Sequence, residues 1–483
     1  MSFLVIQRIV GLLLAVFSFS MLPPAAVSWW YDDGMIMPFI TGFIIAFSAG
    51  VVLFIPARNF KRDLRIRDGF IVVVMFWTVL GACGALPFML EKTLEMSITD
   101  ACFEAFSALT TTGATVLVGL DTMPPAILYY RQQLQWFGGM GIIVLAVAVL
   151  PMLGVGGMQL YRAETPGPMK ESKLTPRITE TAKALWYIYL GLTVACGGAY
   201  WVAGMTPFDA ISHAFSTVAI GGFSTHDLSI GYFQSQAIET IAVIFMLISG
   251  ANYALHFVAW RKMSLRPYFG DSEFRFYFVV LALVSIVVST VLLLTDTYID
   301  AGSALHYGIF QVVSIGTTTG FTTAEYYYWP GFVSILLLLT SFMGGCAGST
   351  AGGMKVIRIL LLLKQGYREL SRLVHPSAQI PVRIGGRSIP PRVVDSVWGF
   401  FAVYVFSFTA MYLALAATGL DLITSFSAVA ACMNNLGPGL GVVGSNYASL
   451  GDTAKWILCF AMVLGRLEIF TLLVLLTPAF WQR

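Results

Sequence analysis

The stretch Thr110-Thr111-Thr112-Gly113-Ala114-Thr115 combines small hydroxyl side chains with a glycine. It follows a short apolar segment, Phe103 to Leu109, which cannot cross a bilayer because a spanning helix needs about 20 residues. Three looser copies follow: Ala219-Ile220-Gly221-Gly222-Phe223-Ser224, Thr317-Thr318-Thr319-Gly320-Phe321-Thr322 and Asn434-Asn435-Leu436-Gly437-Pro438-Gly439. Four copies of one loop, each after a short helix, predict four walls around a single pathway.

The composition is that of an integral membrane protein. Of 483 residues, 57% are hydrophobic and only 11% are charged, whereas soluble domains carry about 25% charged residues. Six cysteines without a CxxC pair are expected to be small buried residues, not metal or redox groups.

Apolar stretches predict ten spans, near residues 4–24, 36–55, 69–90, 126–152, 184–204, 235–260, 276–295, 331–362, 395–418 and 454–478. We expect the first span to be retained and not removed as a signal peptide.

Basic residues predict the orientation of these spans. They cluster after every second span, from Arg58 to Arg67, from Arg162 to Lys183, from Arg261 to Arg275 and from Lys355 to Arg392. The opposite connections 205–234, 296–330 and 419–452 contain no Lys or Arg. Because basic loops stay on the cytoplasmic side, both termini are expected there and the glycine loops outside.

From residue 69 the chain repeats one unit four times: a span, a short helix, a glycine loop and a second span. An aspartate lies near the start of each short helix and is expected to cap it; the four are Asp100, Asp209, Asp300 and Asp421. The first two spans stand outside the repeat. No length remains for a separate soluble domain.

The loops suit a cation filter. Non-helical backbone at membrane depth must be buried in protein or face water, and glycine lets the backbone turn its carbonyls inward. A ring of carbonyls can replace the water shell of a monovalent cation, and the C-terminal ends of the short helices favour positive charge. No ring of four carboxylates appears at the glycines, which disfavours a divalent site. For any single loop, an ordinary turn between helices remains the alternative.

Several motifs in order resemble the Trk/Ktr/HKT superfamily of potassium uptake proteins: Gln135 to Gly141, Thr110 to Ala114, Ile315 to Phe321, Asn434 to Gly439 and Leu464 to Glu468. The resemblance implies an all-α integral membrane fold. Two leading transmembrane helices, residues 1–68, would precede four M1–pore helix–M2 repeats in a pseudo-fourfold arrangement around one pore. The repeats would cover residues 69–183, 184–275, 276–394 (with a broken M2) and 395–483.

The resemblance also implies K⁺ as substrate, no cofactor in this chain, and a homodimer in the bacterial cytoplasmic (inner) membrane. It implies as partner a cytoplasmic TrkA-like regulatory ring with nucleotide-binding domains. The basic segments 162–183 and 355–392 are candidate contacts for that ring, or simply loops beside anionic lipid. No nucleic-acid partner is expected.

By the same resemblance, the selectivity filter comprises Thr110 to Gly113, Ala219 to Gly222, Thr317 to Gly320 and Asn434 to Gly437. The expected K⁺ ligands are main-chain carbonyls of Thr111, Thr112, Ile220, Gly221, Thr318, Thr319, Asn435 and Leu436. The filter glycines are Gly113, Gly222, Gly320 and Gly437. In this superfamily, glycine at all four positions fits K⁺, and a serine at the first would suggest Na⁺ permeation.

The eighth span contains a glycine-rich run, Gly344 to Gly353. Each glycine costs a helix roughly 1 kcal/mol relative to alanine, so the run predicts a break just below the filter. Close helix packing through small residues is the alternative. The resemblance implies an intramembrane loop that obstructs the closed pore, with gate residues Gly344, Gly345, Gly348, Gly352 and Gly353.

Arg466 is the sixth predicted gate residue. It is expected in the middle of the last span, where an arginine costs at least about 2.5 kcal/mol and is a functional candidate. Glu468, two positions on, would face another direction. These two are expected to be the only strongly intramembrane charges. Arg466 is interpreted as a fixed positive charge that slows cations, or alternatively as a structural group bonded to nearby carbonyls.

The sequence thus predicts gated K⁺ uptake driven mainly by membrane potential, and no enzyme. A Na⁺- or H⁺-coupled K⁺ symporter on the same scaffold is the main alternative. A K⁺-binding subunit of a primary pump and a membrane-embedded enzyme are remote alternatives. The enzyme would need convergent acids, bases or metal ligands within the bilayer.

Overall fold

The computed structural model describes residues 3–60, 66–92, 94–144 and 178–482. The end of the predicted fourth span, beyond residue 144, lies outside the described residues, as do residues 162–177 of the first basic segment. The described chain is helical apart from loops and one two-stranded antiparallel hairpin. The expected all-α fold is therefore confirmed.

Two leading elements precede the repeats. Helix α1 (Phe3–Ser18) continues through a single 3₁₀ turn into α2 (Leu22–Tyr31), and α3 (Ile36–Ala57) packs back against α1. Glycines permit the close approach: a β-carbon on Gly50 would lie 2.6 Å from the amide nitrogen of Ala15. Small residues at helix contacts are the usual way in which membrane helices approach closely.

The predicted repeats contain the remaining elements. Repeat 1 has α4 (Ile66–Gly84), α5 (Leu86–Leu90), α6 (Ile98–Leu109) and α7 (Pro125–Val144). Repeat 2 has α8 (Ile178–Val202), α9 (Pro207–Ala219), α10 (Gln236–Ser249), α11 (Tyr253–Lys262) and α12 (Arg266–Gly270). Repeat 3 has α13 (Ser272–Leu294), α14 (Ala301–Gly316), α15 (Gly331–Thr340), α16 (Val356–Val374), β1 (Arg383–Ile384) and β2 (Arg387–Ser388). Repeat 4 has α17 (Pro391–Ala416), α18 (Leu422–Met433), α19 (Asp452–Arg466), α20 (Phe470–Leu473) and α21 (Pro478–Trp481).

Six helices in the described ranges are long and apolar enough to cross a membrane unbroken. Two more candidate spans are sharply bent: α10 and α11 meet at 96°, and α19 meets the following helical turns at 108°. The eighth predicted span is split into α15 and α16 by a loop. The prediction of a last span continuous through Arg466 is therefore wrong, because α19 ends at that residue.

The pore helices are the short helices α6, α9, α14 and α18, and they begin with two kinds of cap. The predicted aspartates cap two of them, α14 by Asp300 and α18 by Asp421. The prediction is wrong for the other two, whose caps are Ser97 and Thr206. Asp100 and Asp209 lie three residues later, where each carboxylate accepts a hydrogen bond from the cap hydroxyl at 2.9 and 2.7 Å. These reciprocal contacts resemble a capping box.

The pore helices lie in the centre of the protein. Residues in α6, α9 and α18 are buried along almost their whole length, and α14 is buried over its second half. The longer helices surround them and expose many large apolar side chains on their outer faces. This arrangement suits lipid outside, and it delivers the C-terminal end of each pore helix to a common centre.

Candidate ion pathway

The four filter segments are Thr110–Gly113, Ala219–Gly222, Thr317–Gly320 and Asn434–Gly437, numbered 1 to 4. They share one backbone pattern. The second residue has a positive φ in each: Thr111 53°, Ile220 55°, Thr318 67° and Asn435 54°. The fourth is a glycine with positive φ: Gly113 80°, Gly222 78°, Gly320 86° and Gly437 98°. Left-handed backbone costs residues other than glycine about 1–2 kcal/mol, so the same strain is built into all four walls.

The segments contact one another in a closed cycle. A β-carbon built on each filter glycine would collide with the third carbonyl oxygen of the next segment. The distances are 2.1 Å for Gly113 and Gly221, 2.0 Å for Gly222 and Thr319, 2.1 Å for Gly320 and Leu436, and 2.6 Å for Gly437 and Thr112. Segment 1 thus meets 2, 2 meets 3, 3 meets 4, and 4 returns to 1. The four walls predicted from the sequence surround one axis.

A cavity of about 280 Å³, here called the vestibule, lies beyond the filter glycines. All four of those glycines line it, together with residues that follow each of them. Its guanidinium, imidazole and carboxylate side chains are those of Arg131, His226, Asp227 and Glu325. Because this one cavity touches all four walls, the vestibule lies at one end of the space that they surround.

Side chains of the filter segments themselves brace three of the four segments. In segments 1 and 3 the first and third threonine hydroxyls hydrogen-bond at 2.7 Å, which joins Thr110 to Thr112 and Thr317 to Thr319. In segment 4 the Asn435 amide donates to the Thr112 hydroxyl at 3.0 Å. Segments 1 and 3 lie diagonally across the cycle, so the ring has two similar walls and two distinct ones.

The glycine-rich run does break the eighth span. Helix α15 ends at Thr340 and α16 begins at Val356, and the residues between them, 341–355, form a loop. Gly344, Gly348 and Gly353 have φ values of 64°, 74° and 70°, which a continuous helix excludes. The alternative of small-residue packing within an intact helix is therefore wrong.

Loop 341–355 lies directly against the filter, on the side away from the vestibule. The Gly352 amide donates to the Thr318 hydroxyl at 2.8 Å, and the Gly353 amide donates to the Asn434 carbonyl at 3.0 Å. A β-carbon on Gly352 would lie 2.0 Å from that same carbonyl oxygen. The loop thus contacts the second residue of filter segment 3 and the first residue of filter segment 4.

The loop also explains the bend between α10 and α11. The Cys346 amide donates to the Gly250 carbonyl at 2.8 Å, and the Tyr253 amide donates to the Gly348 carbonyl at 3.1 Å. A β-carbon on Gly345 would lie 2.8 Å from the Gly250 oxygen. Two broken helices therefore satisfy each other's backbone groups, as the interior of a membrane requires.

Arg466 connects this loop to repeat 1. Its guanidinium donates to the Thr350 carbonyl at 3.2 Å and to the Gly138 carbonyl at 3.0 Å, and lies 5.5 Å from the Trp77 ring. Glu468 faces elsewhere, as predicted, and pairs with Arg358 of α16. Arg466 is bonded to carbonyls, as its structural interpretation supposes, but one of those carbonyls belongs to the loop.

The prediction that Arg466 and Glu468 are the only strongly intramembrane charges is wrong. Glu104 of α6 and Arg131 of α7 form a fully buried ion pair at 2.6 Å. Glu104 stands inside the segment Phe103–Leu109, whose other residues are apolar or small. The signal in the sequence was this one carboxylate beyond the first turn of the pore helix.

Two further buried ionisable side chains hold the loop. The Glu273 carboxylate accepts from the Ala347 amide at 2.7 Å and from the Ile357 amide at 3.2 Å. The Lys355 ammonium donates to the Ala351 carbonyl. Neither residue is a candidate from sequence. Glu273 precedes the seventh predicted span, and Lys355 opens the basic segment 355–392, where charge is expected.

Known proteins similar to this chain are named as cation or potassium transport proteins. A family model described as "TrkH: Cation transport protein" matches residues 35–483. The "Trk system potassium uptake protein TrkH" of Vibrio parahaemolyticus is 59% identical, and that of Escherichia coli strain K12 is 56% identical, each over the full length of both chains. The crystal structure of the potassium transporter TrkH from Vibrio parahaemolyticus matches with a TM-score of 0.92 and 56% identity, covering all of both chains. These names describe transport proteins and not enzymes, and the resemblance inferred from the motifs is confirmed.

Proposed function

The chain belongs to the TrkH family of cation transport proteins, and we propose that it takes up K⁺ through the four-walled filter, driven mainly by the membrane potential. The observation that carries this proposal is the closed cycle of filter segments, in which each glycine faces a carbonyl of the next wall. The relatives are named as potassium uptake proteins. A ring of backbone carbonyls is the arrangement that replaces the hydration shell of K⁺ in a filter.

The proposed K⁺ ligands are the carbonyls of the second and third residues of each filter segment. Positive φ at the second and fourth residues alternates with negative φ at the others, and such alternation turns successive carbonyls towards one side. Gly221 also accepts a side-chain hydrogen bond, from Gln135 at 2.7 Å. A carbonyl oxygen has two lone pairs, so one remains for the ion.

Loop 341–355 and Arg466 are the proposed gate. The loop occupies the side of the filter opposite the vestibule, and Arg466 bridges the loop to repeat 1. A fixed positive charge in a site of low dielectric repels a permeating cation strongly. The gate would therefore act both by blocking the path and by disfavouring K⁺ next to the filter.

The placement and partners in this proposal follow the family. The protein would be a homodimer in the bacterial cytoplasmic (inner) membrane, with both termini in the cytoplasm, and a TrkA-like nucleotide-binding ring would control it. Helix α16 supports the docking of an acidic surface or lipid, since Lys364, Arg368 and Arg372 lie along it after the gate loop.

Rb⁺ uptake by the purified protein in lipid vesicles tests the proposal. Uptake should follow an imposed membrane potential without any Na⁺ or pH gradient, and protein-free vesicles give the background. Uptake that requires either gradient would replace the passive pathway by coupled symport. Addition of the cytoplasmic partner with nucleotide should change the rate, and no uptake under any of these conditions would contradict the proposed function.

A further inference from the structure

Filter segment 2 is built differently from the other three. Its first and third residues are Ala219 and Gly221, so it lacks the threonine brace of segments 1 and 3 and the amide contact of segment 4. All four segments lie within the described residues, which makes the comparison direct. Something outside the segment must hold this wall in register with the ring.

Gln135 of α7 supplies that support. Its amide nitrogen donates to the Gly221 carbonyl at 2.7 Å, and its amide oxygen accepts from the Phe223 amide at 3.1 Å. One side chain thus grips the backbone on both sides of the filter glycine Gly222. Of the three neighbouring buried glutamines on α7, only Gln135 has both ends of its amide paired, since the Gln132 and Gln133 oxygens lack partners.

Two more side chains on the same face of α7 hydrogen-bond to the backbone that follows filter segment 2. Gln132 donates to the Phe223 carbonyl at 2.8 Å, and Arg131 donates to the Ser224 carbonyl at 3.3 Å. Residues three and four apart share one face of a helix, so these side chains and Gln135 follow the wall in order. Arg131 also lies over the Phe223 ring at 4.1 Å.

Glu104 fixes the orientation of Arg131. The carboxylate pairs with the Arg131 guanidinium at 2.6 Å and accepts from the Thr115 hydroxyl and the Val116 amide at 3.0 Å. Thr115 and Val116 follow the glycine of segment 1, so the ion pair joins the exits of segments 1 and 2. Polar groups that are buried and fully paired define one arrangement, because any other leaves a charge or dipole unpaired.

We propose that Gln135, supported by Arg131 and Glu104, is a positioning residue for ion selectivity that sets the place of the Gly221 carbonyl in the ring. The Gly221 oxygen faces Gly113 across the boundary between segments 1 and 2, so a shift there changes two walls together. The inference rests on the proposed K⁺ function. It assigns selectivity to a side chain that lies behind the filter and does not touch the ion.

Gln135→Met tests this assignment, with Gln133→Met as the matched control. Both glutamines are buried on the same helix, but Gln133 donates to the Ser20 carbonyl of the leading helices, away from the filter. Methionine keeps nearly the volume and removes the hydrogen bonds. The measurement is the thermal unfolding midpoint of the purified protein at increasing concentrations of K⁺ or of Na⁺, with the ionic strength held constant. An ion that binds the folded state stabilises it and raises this midpoint. Competition of K⁺ and of Na⁺ against Rb⁺ uptake in vesicles measures the preference for K⁺ over Na⁺ independently.

We expect wild type and Gln133→Met to keep the same preference for K⁺ over Na⁺. In Gln135→Met that preference should fall on the order of tenfold, the factor that one buried hydrogen bond represents. Arg131→Lys keeps a positive charge beside Glu104 but loses the planar fork, and its preference should fall in the same direction.

An unchanged preference in Gln135→Met, with a selective wild type, contradicts the positioning role alone. A wild type without preference for K⁺ contradicts the proposed function and this inference together. If Gln135→Met and Arg131→Lys both fail to fold while Gln133→Met folds, the residues serve the fold itself and the assignment to selectivity is overturned.

Discussion

Replacing Gly113 by serine should admit Na⁺ through the filter, and the structure gives the reason. Gly113 has φ +80°, and a β-carbon there would lie 2.1 Å from the Gly221 carbonyl oxygen. Ordinary contact begins near 3.4 Å. The neighbouring wall must therefore move by about 1.3 Å, the difference between those two distances. The atom displaced is a proposed K⁺ ligand.

The free-energy cost of Gly113→Ser has two parts, and a serine at a second glycine, Gly119, distinguishes them. Left-handed φ costs a serine about 1–2 kcal/mol, and overpacking a dense site adds about 1–3 kcal/mol. Gly119 has nearly the same φ, +78°, but a β-carbon there meets only the Thr122 hydroxyl at 3.7 Å. Gly119→Ser therefore carries the backbone strain without the collision.

The assay is the ratio of Na⁺ to K⁺ in competition against Rb⁺ uptake, measured for wild type and both variants at equal protein content. Each 1.4 kcal/mol of lost discrimination is about a tenfold change in that ratio. We expect a shift of at least that size for Gly113→Ser and little change for Gly119→Ser. An unaltered ratio in Gly113→Ser would remove Gly113 from the filter, and equal shifts in both variants would attribute the effect to strain.

Three other changes should have distinct outcomes. Arg466→Ala removes a charge and two hydrogen bonds, one to the loop and one to repeat 1, so Rb⁺ uptake should rise while selectivity is kept; an unchanged rate at equal protein content would count against the barrier. Glu104→Ala leaves Arg131 buried and unpaired, so the free energy of unfolding in denaturant titration should fall by about 3–5 kcal/mol, and a loss below 1 kcal/mol would contradict this account. Although partial burial opposes it, the neighbouring carboxylates of Asp209 and Asp121, which interact with the imidazole as hydrogen-bond acceptors and as negative charges, raise the pKa of His226 above its usual 6.5. That stabilisation is present below pH 6.5 and is lost as pH rises through the raised pKa, so the midpoint advantage of wild type over His226→Gln should shrink with rising pH, and a constant difference would refute it.

The conformation of the four glycine loops was predictable from sequence, because glycine is the residue that adopts positive φ without cost. Gly222 and Gly320 recur after short apolar helices, and only glycine adopts their φ without cost. The cyclic contacts were not predictable, because the β-carbon distance between Gly222 and the Thr319 oxygen depends on two distant repeats. The brace from Gln135 was missed for the same reason: its partner Gly221 is 86 residues away.

The helix breaks also divide into one that local sequence predicts and one that depends on distant contacts. Five glycines between Gly344 and Gly353 predict a break from local propensity alone. The end of α19 has no such signal, since Leu467 to Ile469 contains neither glycine nor proline. There Glu468 and Ile469 take positive φ values of 51° and 62°, and Glu468 pairs with Arg358 of another repeat. An ion pair between two repeats accompanies this break. Local sequence patterns therefore could not predict it.

The contacts of loop 341–355, the proposed gate, also limit how independently the gate and the filter could move. The Gly352 amide bonds the Thr318 hydroxyl, and the Gly353 amide bonds the Asn434 carbonyl. A loop that moves away to open the path must break both hydrogen bonds, each worth about 1 kcal/mol. Asn434 would keep its side-chain bond to Tyr404 at 2.5 Å but lose the donor to its carbonyl. Water or a cation would then have to satisfy that carbonyl, so under the proposed gating segments 3 and 4 would present different walls to the ion in the open and closed states.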